Sequence, residues 1–359
     1  MDSNPNFTDE AKTEPSGSVL PAPRSIGRLV ALVAGLRNGV RAFFALLRRK
    51  KEKPGPYTIL VTGASVGVGL ELAKLLRATK HRVVLTARGT SLGRFAEHGL
   101  DEGKRLMVLP LDVTSNRERR AVVKAVQKRW GGIDVLVNNA GVAYRAVLEH
   151  VTDAERVAQL DANYLGPMSL TRLVLPHMRA QRFGRVVNVS SVGGMTAMPT
   201  MSVYSASKYA LEGASEALWY EVRPWNVKVS LVRPGFINSD GFRKVRFTFH
   251  GALALKDSDD PYHAHYKNME ELVEALATLT FHTPKDVAET ILATIEAKNP
   301  PLWVAGTWDA YFFGLLRRFM PSSLYTRLLY AGLPRIWEWG VDTAPRRRDM
   351  DTLVDPPHD

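Results

Sequence analysis

Short apolar segments that alternate with helical segments most constrain the fold of this chain. Six of them are nearly wholly apolar: YTILVT (57–62), RVVLTA (82–87), RLMVLP (105–110), IDVLVNN (133–139), GRVVNVSS (184–191) and VKVSLVRP (227–234). Strands that are buried on both faces of a parallel sheet have this composition. Helix-length segments such as 69–79 and 116–130 lie between them. The alternation predicts an α/β fold with a single doubly wound parallel sheet, Rossmann-like, with helices on both faces.

The composition divides the chain into four parts. Residues 1–23 are polar and are expected to be a disordered tail. Residues 24–53 form a basic arm and linker, predicted as an amphipathic helix. The α/β pattern occupies residues 57–306, and its last elements are a helix and the apolar run PLWVAG. Residues 307–359 are rich in aromatic residues, arginine and proline, and are expected to form a helical extension.

The positive charge is concentrated in the arm. The chain has a net charge of +12, and residues 24–53 hold nine lysines and arginines against one acid, Glu52. A nucleic-acid-binding fold usually carries its basic residues across the folded domain. Nucleic-acid binding is therefore not predicted.

Cysteine and histidine usage limits the chemistry. The chain has no cysteine, which fits a reducing compartment and excludes thiolate chemistry. The nine histidines show no spacing that is typical of a metal site, so no metal is predicted.

The arm has an amphipathic pattern. On a helical wheel, eight of its apolar residues share one half: Leu29, Leu32, Val33, Leu36, Val40, Phe43, Phe44 and Leu47. The arginines at 28, 37 and 41 interrupt any span of about 20 apolar residues that could cross a membrane. The pattern indicates a helix at a membrane surface, with arginine facing anionic headgroups. The alternative is a helix that packs on the protein itself or on a partner subunit.

A glycine-rich turn follows the first predicted strand. TGASVGVG places Gly63, Gly67 and Gly69 between this strand and a helix. Such a turn lets the backbone approach a pyrophosphate, which the helix N-terminus then stabilises. The sequence therefore predicts a dinucleotide site here.

The end of the second predicted strand bears on the choice of dinucleotide. An acid at this position would bind the ribose 2′-hydroxyl of NAD, but the chain has Ala87 and Arg88. Arginine suits a 2′-phosphate, and Ser65 in the turn could add a neutral donor. NADP(H) is therefore predicted as the cofactor.

In VYSASKYALEG, Tyr204 and Lys208 are four residues apart. On a helix they share a face, and a nearby cation favours the phenolate form of tyrosine. This pair predicts a tyrosine that exchanges a proton near neutral pH. The small residues between them are expected to admit the cofactor ribose and the substrate.

Taken together, these motifs resemble the short-chain dehydrogenase/reductase family. TGASVGVG, LDVT (111–114), NNAG (138–141), SS (190–191), YSASK (204–208) and RPG (233–235) occur in the family's order and spacing. The resemblance covers about residues 57–306. The layout is most similar to 17β-hydroxysteroid and retinol dehydrogenase-like members.

The resemblance implies roles for four catalytic residues. Tyr204 is expected to be the acid/base, and Lys208 to lower its pKa and hold the nicotinamide ribose. Ser191 is expected to polarise the substrate carbonyl, in preference to Ser190. Asn163 is expected to order a water that links Lys208 to solvent.

The resemblance also implies further cofactor contacts. Asp112 and Val113 are expected near the adenine, and Asn139, Ala140 and Gly141 along the adenosine. Pro234, Gly235, Ile237 and Ser239 are expected to flank the nicotinamide; Ser239 replaces the family's usual threonine and keeps the hydroxyl.

These features predict an enzyme that interconverts a lipophilic alcohol and its ketone or aldehyde, of steroid, retinoid or long-chain type. Residues 236–283 are expected to form a lid over the substrate. A 3-oxoacyl-thioester reductase and a non-catalytic NADP(H)-binding sensor are the alternatives, and a structural protein of the membrane surface is a third. The protein is expected to be a homodimer, paired through the helices that bear Asn163 and Tyr204, on the cytoplasmic side of a membrane.

Overall fold

The computed structural model describes residues 55–239 and 246–340. The predicted tail at 1–23, the arm at 24–53 and the last part of the C-terminal extension lie outside the described residues.

Seven parallel strands form the central sheet, as predicted. They are β1 (Thr58–Val61), β2 (Arg82–Ala87), β3 (Leu106–Pro110), β4 (Val135–Asn138), β6 (Gly184–Val189), β7 (Val227–Arg233) and β9 (Trp303–Ala305), in the order β3-β2-β1-β4-β6-β7-β9. Two further strands, β5 (Tyr144–Arg145) and β8 (Arg246–Phe247), pair with each other in parallel. The sequence did not predict this second sheet, because two-residue strands have no periodic pattern.

The order of the strands reverses between β1 and β4. From β1 the chain moves outward to β2 and β3, and from β4 it moves in the opposite direction to β9. In open α/β sheets, ligands bind at such a switch point, outside the carboxyl ends of the strands. The topology therefore places a crevice after β1 and β4.

Eleven α-helices connect and flank the strands in the described part of the chain. They are α1 (Gly67–Arg77), α2 (Gly93–Glu97), α3 (Asn116–Trp130), α4 (Asp153–Leu160), α5 (Gly166–Ala180), α6 (Ser202–Val222), α7 (Phe249–Lys256), α8 (His263–Leu279), α9 (Pro284–Glu296), α10 (Trp308–Phe319) and α11 (Ser322–Ala331). Helix α3 has the predicted bounds. Ser115 caps its N-terminus, and Gly131 ends it in the left-handed conformation.

The sheet separates two apolar core layers. Successive strand residues point to opposite faces, so Ile59 and Val61 pack in one layer and Leu60 in the other. Helices α1 and α9 cover the first layer, through residues such as Leu72 and Ile291. Helices α3, α5 and α6 cover the second. This burial on both faces explains why the predicted strands were almost wholly apolar.

The insertion and the extension are helical where the structure describes them. Within residues 236–283 the chain forms α7 and α8, and the predicted C-terminal helical extension contains α10 and α11. No helix in the described ranges combines the length and hydropathy that a membrane span requires.

Candidate active site

A cavity of about 620 Å³ opens at the carboxyl ends of the central strands. Most of the residues predicted for the site line it: Gly63, Ser65, Gly69, Arg88, Asp112, Val113, Asn139, Ala140, Gly141, Ser191, Tyr204, Pro234, Gly235, Ile237 and Ser239. Gly67, Asn163 and Lys208 do not line it. The cavity joins the predicted cofactor turn to the predicted catalytic residues.

The glycine turn is built for close backbone packing. Gly63 has a φ of +63°, and a Cβ there would lie 2.8 Å from the Cα of Ala140. A Cβ on Gly69 would lie 2.3 Å from the carbonyl oxygen of Gly63. Gly67 lies outside the cavity lining and has a φ of +56°. Glycine is needed here for packing and for the positive φ, and the backbone is left open to a phosphate group.

Asn139 holds this turn in place. Its Nδ2 donates to the carbonyl oxygens of Thr62 and Gly63, both at 3.0 Å. Its backbone N–H donates to Oγ1 of Thr62 at 3.0 Å. The side chain of Asn139 is thus engaged by the protein, and it positions the turn on which a cofactor would lie.

The part of the cavity that follows β2 carries two arginines. Arg88 and Arg94, both exposed, line it together with Ser65 and Ser91. One carboxylate oxygen of Asp112 accepts two hydrogen bonds from Thr114, one from its backbone N–H and one from its hydroxyl. The sequence analysis did not identify Arg94, because it lies on a short helix after the strand and outside any motif. Two cations without an acid at the strand end suit a 2′-phosphate.

Ser191 and Tyr204 both line the cavity wall, and the hydroxyl of Ser191 favours the phenolate form of Tyr204. The backbone N–H of Gly193 donates to Oγ of Ser191 at 3.0 Å. Because Oγ accepts this bond, its own proton remains available to donate. A Cβ on Gly193 would lie 3.1 Å from the Tyr204 ring, so glycine at this position leaves room for the ring.

Ser190 has a different environment from Ser191. Its hydroxyl is buried and donates to Oε1 of Glu212 at 2.7 Å. Glu212 also accepts two hydrogen bonds from Arg233, at 2.8 and 2.5 Å. This buried network supports Ser191 rather than Ser190 as the substrate donor. The sequence analysis did not identify Glu212. Its position four residues after Lys208, one helical turn away, was the signal that could have done so.

Lys208 is buried one helical turn after Tyr204. Its Nζ donates to the carbonyl oxygen of Val189 at 3.0 Å and lies 5.9 Å from the centroid of the Tyr204 ring. Burial lowers the pKa of Lys208 to about 8, and the nearby carboxylate of Glu212 opposes this change. Lys208 therefore titrates close to the neutral range.

The predicted lowering of the tyrosine pKa is not found in this structure. Burial raises the pKa of Tyr204, and the neighbouring hydroxyl of Ser191 only partly opposes the increase. The physical reason is that desolvation of the phenolate outweighs the other contributions.

Asn163 lies in a π-helical turn, Asp161–Leu165, between α4 and α5. Its Oδ1 accepts from the N–H of Val142 at 2.8 Å, and its Nδ2 donates to the Val142 carbonyl and to Oγ of Ser207. A Cβ on Gly141 would lie 3.0 Å from Oδ1 of Asn163 and 3.6 Å from Nζ of Lys208. Asn163 thus joins the turn after β4 to α6, close to Lys208. Single π-helical turns between α-helices are frequent at functional sites.

The small residues after Tyr204 have different environments. Ser205 lines the cavity. Ala206 is exposed, and the hydroxyl of Ser207 is held between Asn163 and the carbonyl oxygen of Tyr204. The difference arises because consecutive helical residues point in different directions.

Segments distant in sequence hold the loop after β7. Gly235 N–H donates to Oγ1 of Thr307, and Phe236 N–H donates to Oδ2 of Asp309, both at 2.8 Å. The hydroxyl of Thr280 donates to the carbonyl oxygen of Phe236 at 3.1 Å. The C-terminal extension and the end of α8 therefore fix the loop predicted to flank the nicotinamide. Nothing in the sequence indicated these contacts.

No group of three or more histidine, cysteine, aspartate or glutamate side chains in the described ranges could hold a metal ion.

Comparison with known proteins identifies relatives of this chain. Residues 57–248, more than half of the chain, match the model of a family described as short chain dehydrogenase. A 3-ketodihydrosphingosine reductase of Bacteroides thetaiotaomicron is 32% identical over 77% of this chain and 98% of its own length. Human retinol dehydrogenase 8 is 34% identical over 69% of this chain and 80% of its own length.

Solved structures show the same architecture. A short-chain dehydrogenase from Streptomyces avermitilis is 32% identical, with a TM-score of 0.64, over 77% of this chain and 96% of its own. A closed form of serine dehydrogenase complexed with NADP⁺ is 25% identical, with a TM-score of 0.58, over 69% of this chain and 93% of its own.

Proposed function

Because the chain belongs to the short-chain dehydrogenase family and is an oxidoreductase of that family, we propose that it interconverts a lipophilic alcohol and its ketone or aldehyde with NADP(H). One observation carries this proposal: Tyr204 and Ser191 lie together at the wall of a cavity that also contains the glycine turn. The Nζ of Lys208 lies 5.9 Å from the centroid of the Tyr204 ring. A binding protein without catalysis would not need this arrangement, so the alternative of a sensor is disfavoured.

The residues of the cavity fit NADP(H). Gly63 and Gly69 leave the backbone open to the pyrophosphate, and Arg88 and Arg94 supply cations for the 2′-phosphate. Serine dehydrogenase, a structural relative, was solved with NADP⁺ bound. The bound cofactor would supply the hydride for carbonyl reduction.

The protein's side chains provide the proton and stabilise the developing negative charge. The hydroxyl of Ser191, oriented by Gly193, donates to the carbonyl oxygen of the substrate, on which charge develops. Tyr204 transfers its phenolic proton to the same oxygen. The ammonium group of Lys208, held by the Val189 carbonyl, stabilises the phenolate that remains. In alcohol oxidation Tyr204 accepts the proton instead.

The wall of the cavity favours a lipophilic substrate. Its apolar side chains include Val142, Met198, Met201, Phe236 and Val273. Val273 belongs to α8, which supports a lid role for residues 236–283. Two relatives are named for lipophilic substrates, retinol and 3-ketodihydrosphingosine.

The function is tested by incubating the purified protein with NADPH and a panel of ketones, with NADPH absorbance as the readout. The panel contains steroid, retinoid and long-chain carbonyl compounds and a 3-oxoacyl thioester. We expect turnover with a lipophilic member and none with the Tyr204→Phe variant. Tight NADPH binding without turnover of any compound would overturn the proposal in favour of a sensor, and selective turnover of the thioester would indicate the alternative reductase.

We also propose contact with a membrane surface. The arm at 24–53, on which this prediction rests, lies outside the described residues. Helix α10 adds support, because its aromatic residues Trp308, Phe312 and Phe319 are 69%, 57% and 76% exposed. Arg318, exposed on the same helix, supplies a cation for anionic headgroups. Flotation of the full chain with anionic vesicles, against Trp308→Gln/Phe312→Gln and an arm deletion, tests both contributions. Equal flotation of all three proteins would contradict the proposal.

A homodimer through the helices that bear Asn163 and Tyr204 is likewise proposed. Tyr220, on the far part of α6, is exposed and offers an apolar contact. Sedimentation velocity of the parent and of Tyr220→Glu tests this arrangement. A parent protein that sediments as a monomer at micromolar concentration would exclude it.

A further inference from the structure

Arg145 is a buried cation at the wall of the catalytic cavity. It is 5% exposed and lines the cavity from strand β5. Its Nε is fully buried and has no hydrogen-bond partner. Within residues 55–239 and 246–340, the guanidinium group of Arg145 makes no hydrogen bond or salt bridge. None of the proposed catalytic steps uses it.

The charge of Arg145 is only weakly compensated. Burial lowers its pKa, and the one acid that opposes this change is Glu270 on α8. The ordinary pKa of arginine is so high that the group remains a cation at neutral pH. A buried charge without hydrogen bonds is unfavourable, so such a residue usually has a partner. A buried Nε donor without a partner, on a side chain that lines the cavity, is more consistent with a ligand than with packing.

The backbone places Arg145 beside the catalytic helix. Strand β5 pairs with β8, where Arg145 lies opposite Phe247. The next residue, Ala146, donates to the carbonyl oxygen of Thr200 at 2.7 Å and forms a β-bridge with Met201. Met201 lines the cavity and immediately precedes α6, which carries Tyr204. Arg145 is therefore held rigidly at the substrate side of the cavity.

We propose that Arg145 binds an oxyanion, either a carboxylate or a phosphate, on the substrate. This inference rests on the proposed function and deepens it. The substrate is then an amphipathic carbonyl compound: an apolar chain in contact with Val142, Met198 and Val273, a carbonyl group at Tyr204, and an oxyanion at Arg145. The guanidinium fork suits both kinds of oxyanion, because it can donate two parallel hydrogen bonds.

Matched substrates distinguish the two oxyanions from neutral compounds. The substrates are a long-chain oxo acid, its methyl ester and an oxoalkyl phosphate of the same length. We expect the parent enzyme to have a higher kcat/KM for the acid or the phosphate than for the ester. Whichever of the two is preferred identifies the oxyanion.

Three variants separate recognition from packing. Arg145→Met keeps a long apolar side chain, Arg145→Lys keeps the charge without the fork, and Arg246→Met removes an exposed cation from the paired strand as a control. We expect Arg145→Met to lower kcat/KM for the preferred charged substrate by about 10- to 100-fold, and Arg145→Lys to lower it less. The ester should be little affected, and Arg246→Met should resemble the parent. Melting temperatures report any general loss of folding.

The proposal is overturned if Arg145→Met affects the charged and neutral substrates equally, or if the parent shows no preference for charge. A binding measurement keeps the proposal testable if no ketone is reduced. Dodecanoate and dodecyl phosphate, neither of which can be reduced, are titrated separately into the NADPH-bound protein by calorimetry. Binding of either compound that Arg145→Met weakens at least tenfold supports the oxyanion site even where the proposed function fails. Binding that is absent or unchanged for both compounds rejects it.

Discussion

The carboxylate of Asp309 accepts a 2.8 Å hydrogen bond from the backbone N–H of Phe236. Asp309 lies at the start of α10, and Phe236 lies in the loop after β7 that lines the cavity. The two residues pack so closely that a Cβ on Gly235 would lie 1.7 Å from Oδ2 of Asp309. The C-terminal extension is thus a structural part of the proposed active site.

Loss of this contact should impair catalysis. In Asp309→Ala the N–H of Phe236 loses its acceptor, and the loop at the proposed nicotinamide position is less well fixed. We expect kcat/KM to fall at least about tenfold, because small displacements of positioning groups are costly. Asp309→Asn, which keeps an oxygen acceptor, should lose less. Steady-state kinetics with an NADPH titration measures both variants, and equal activity of Asp309→Ala and the parent would contradict the prediction.

The two adjacent serines should differ in effect. Ser191→Ala removes the donor to the carbonyl oxygen, and we expect kcat to fall by about 10²- to 10³-fold. Ser190→Ala removes only a hydrogen bond to Glu212, which keeps its bonds with Arg233. This variant should retain most of the activity and show a lower melting temperature. If Ser190→Ala lost more activity than Ser191→Ala, Ser190 and not Ser191 would be the donor to the substrate carbonyl.

Tyr204→Phe should remove the proton donor and leave the cofactor turn unchanged. We expect turnover to fall by about 10²- to 10⁴-fold, the range for loss of a general acid. NADPH affinity, measured by fluorescence, should stay close to that of the parent. Activity within about tenfold of the parent would reject Tyr204 as the acid.

Carbonyl reduction should decline as pH rises above the pKa of Lys208. Burial lowers this pKa to about 8, so the ammonium is present below that pH and is lost above it. Because the carboxylate of Glu212 raises the pKa of Lys208, Glu212→Gln should shift the decline to lower pH. The profile of kcat/KM against pH measures both effects. A profile that does not move in Glu212→Gln would exclude this electrostatic coupling.

Replacement of Arg88 should change cofactor preference. Arg88→Asp removes a cation that would bind the 2′-phosphate and introduces a carboxylate that would bind the ribose hydroxyls. The ratio of kcat/KM for NADPH to kcat/KM for NADH should therefore fall. Arg94→Ala should lower the same ratio by weakening NADPH alone. An unchanged ratio in both variants would show that the cavity recognises the 2′-phosphate elsewhere.

The framework of this fold was predictable because its signals are local. Buried parallel strands require apolar runs, and Ser115 and Gly131 mark the ends of α3. Other features depend on contacts between distant residues. Arg145 and Asp309 belong to no motif, and their significance arises only when β5 approaches α6 and α10 approaches the loop after β7. The pKa of Tyr204 also depends on the burial of its side chain, which cannot be read from the spacing of Tyr204 and Lys208 in the sequence.

The strand order has a consequence for synthesis on the ribosome. Strand β1 emerges early, but its neighbour β4 is translated only after β2 and β3. The glycine turn at Gly63 and its brace, Asn139, are likewise separated by these elements. The loop after β7 obtains its hydrogen bond from Phe236 to Asp309 only after α10 has been translated. A nascent chain therefore completes the proposed active site late, and a product terminated before residue 309 would lack the contact that fixes the loop after β7.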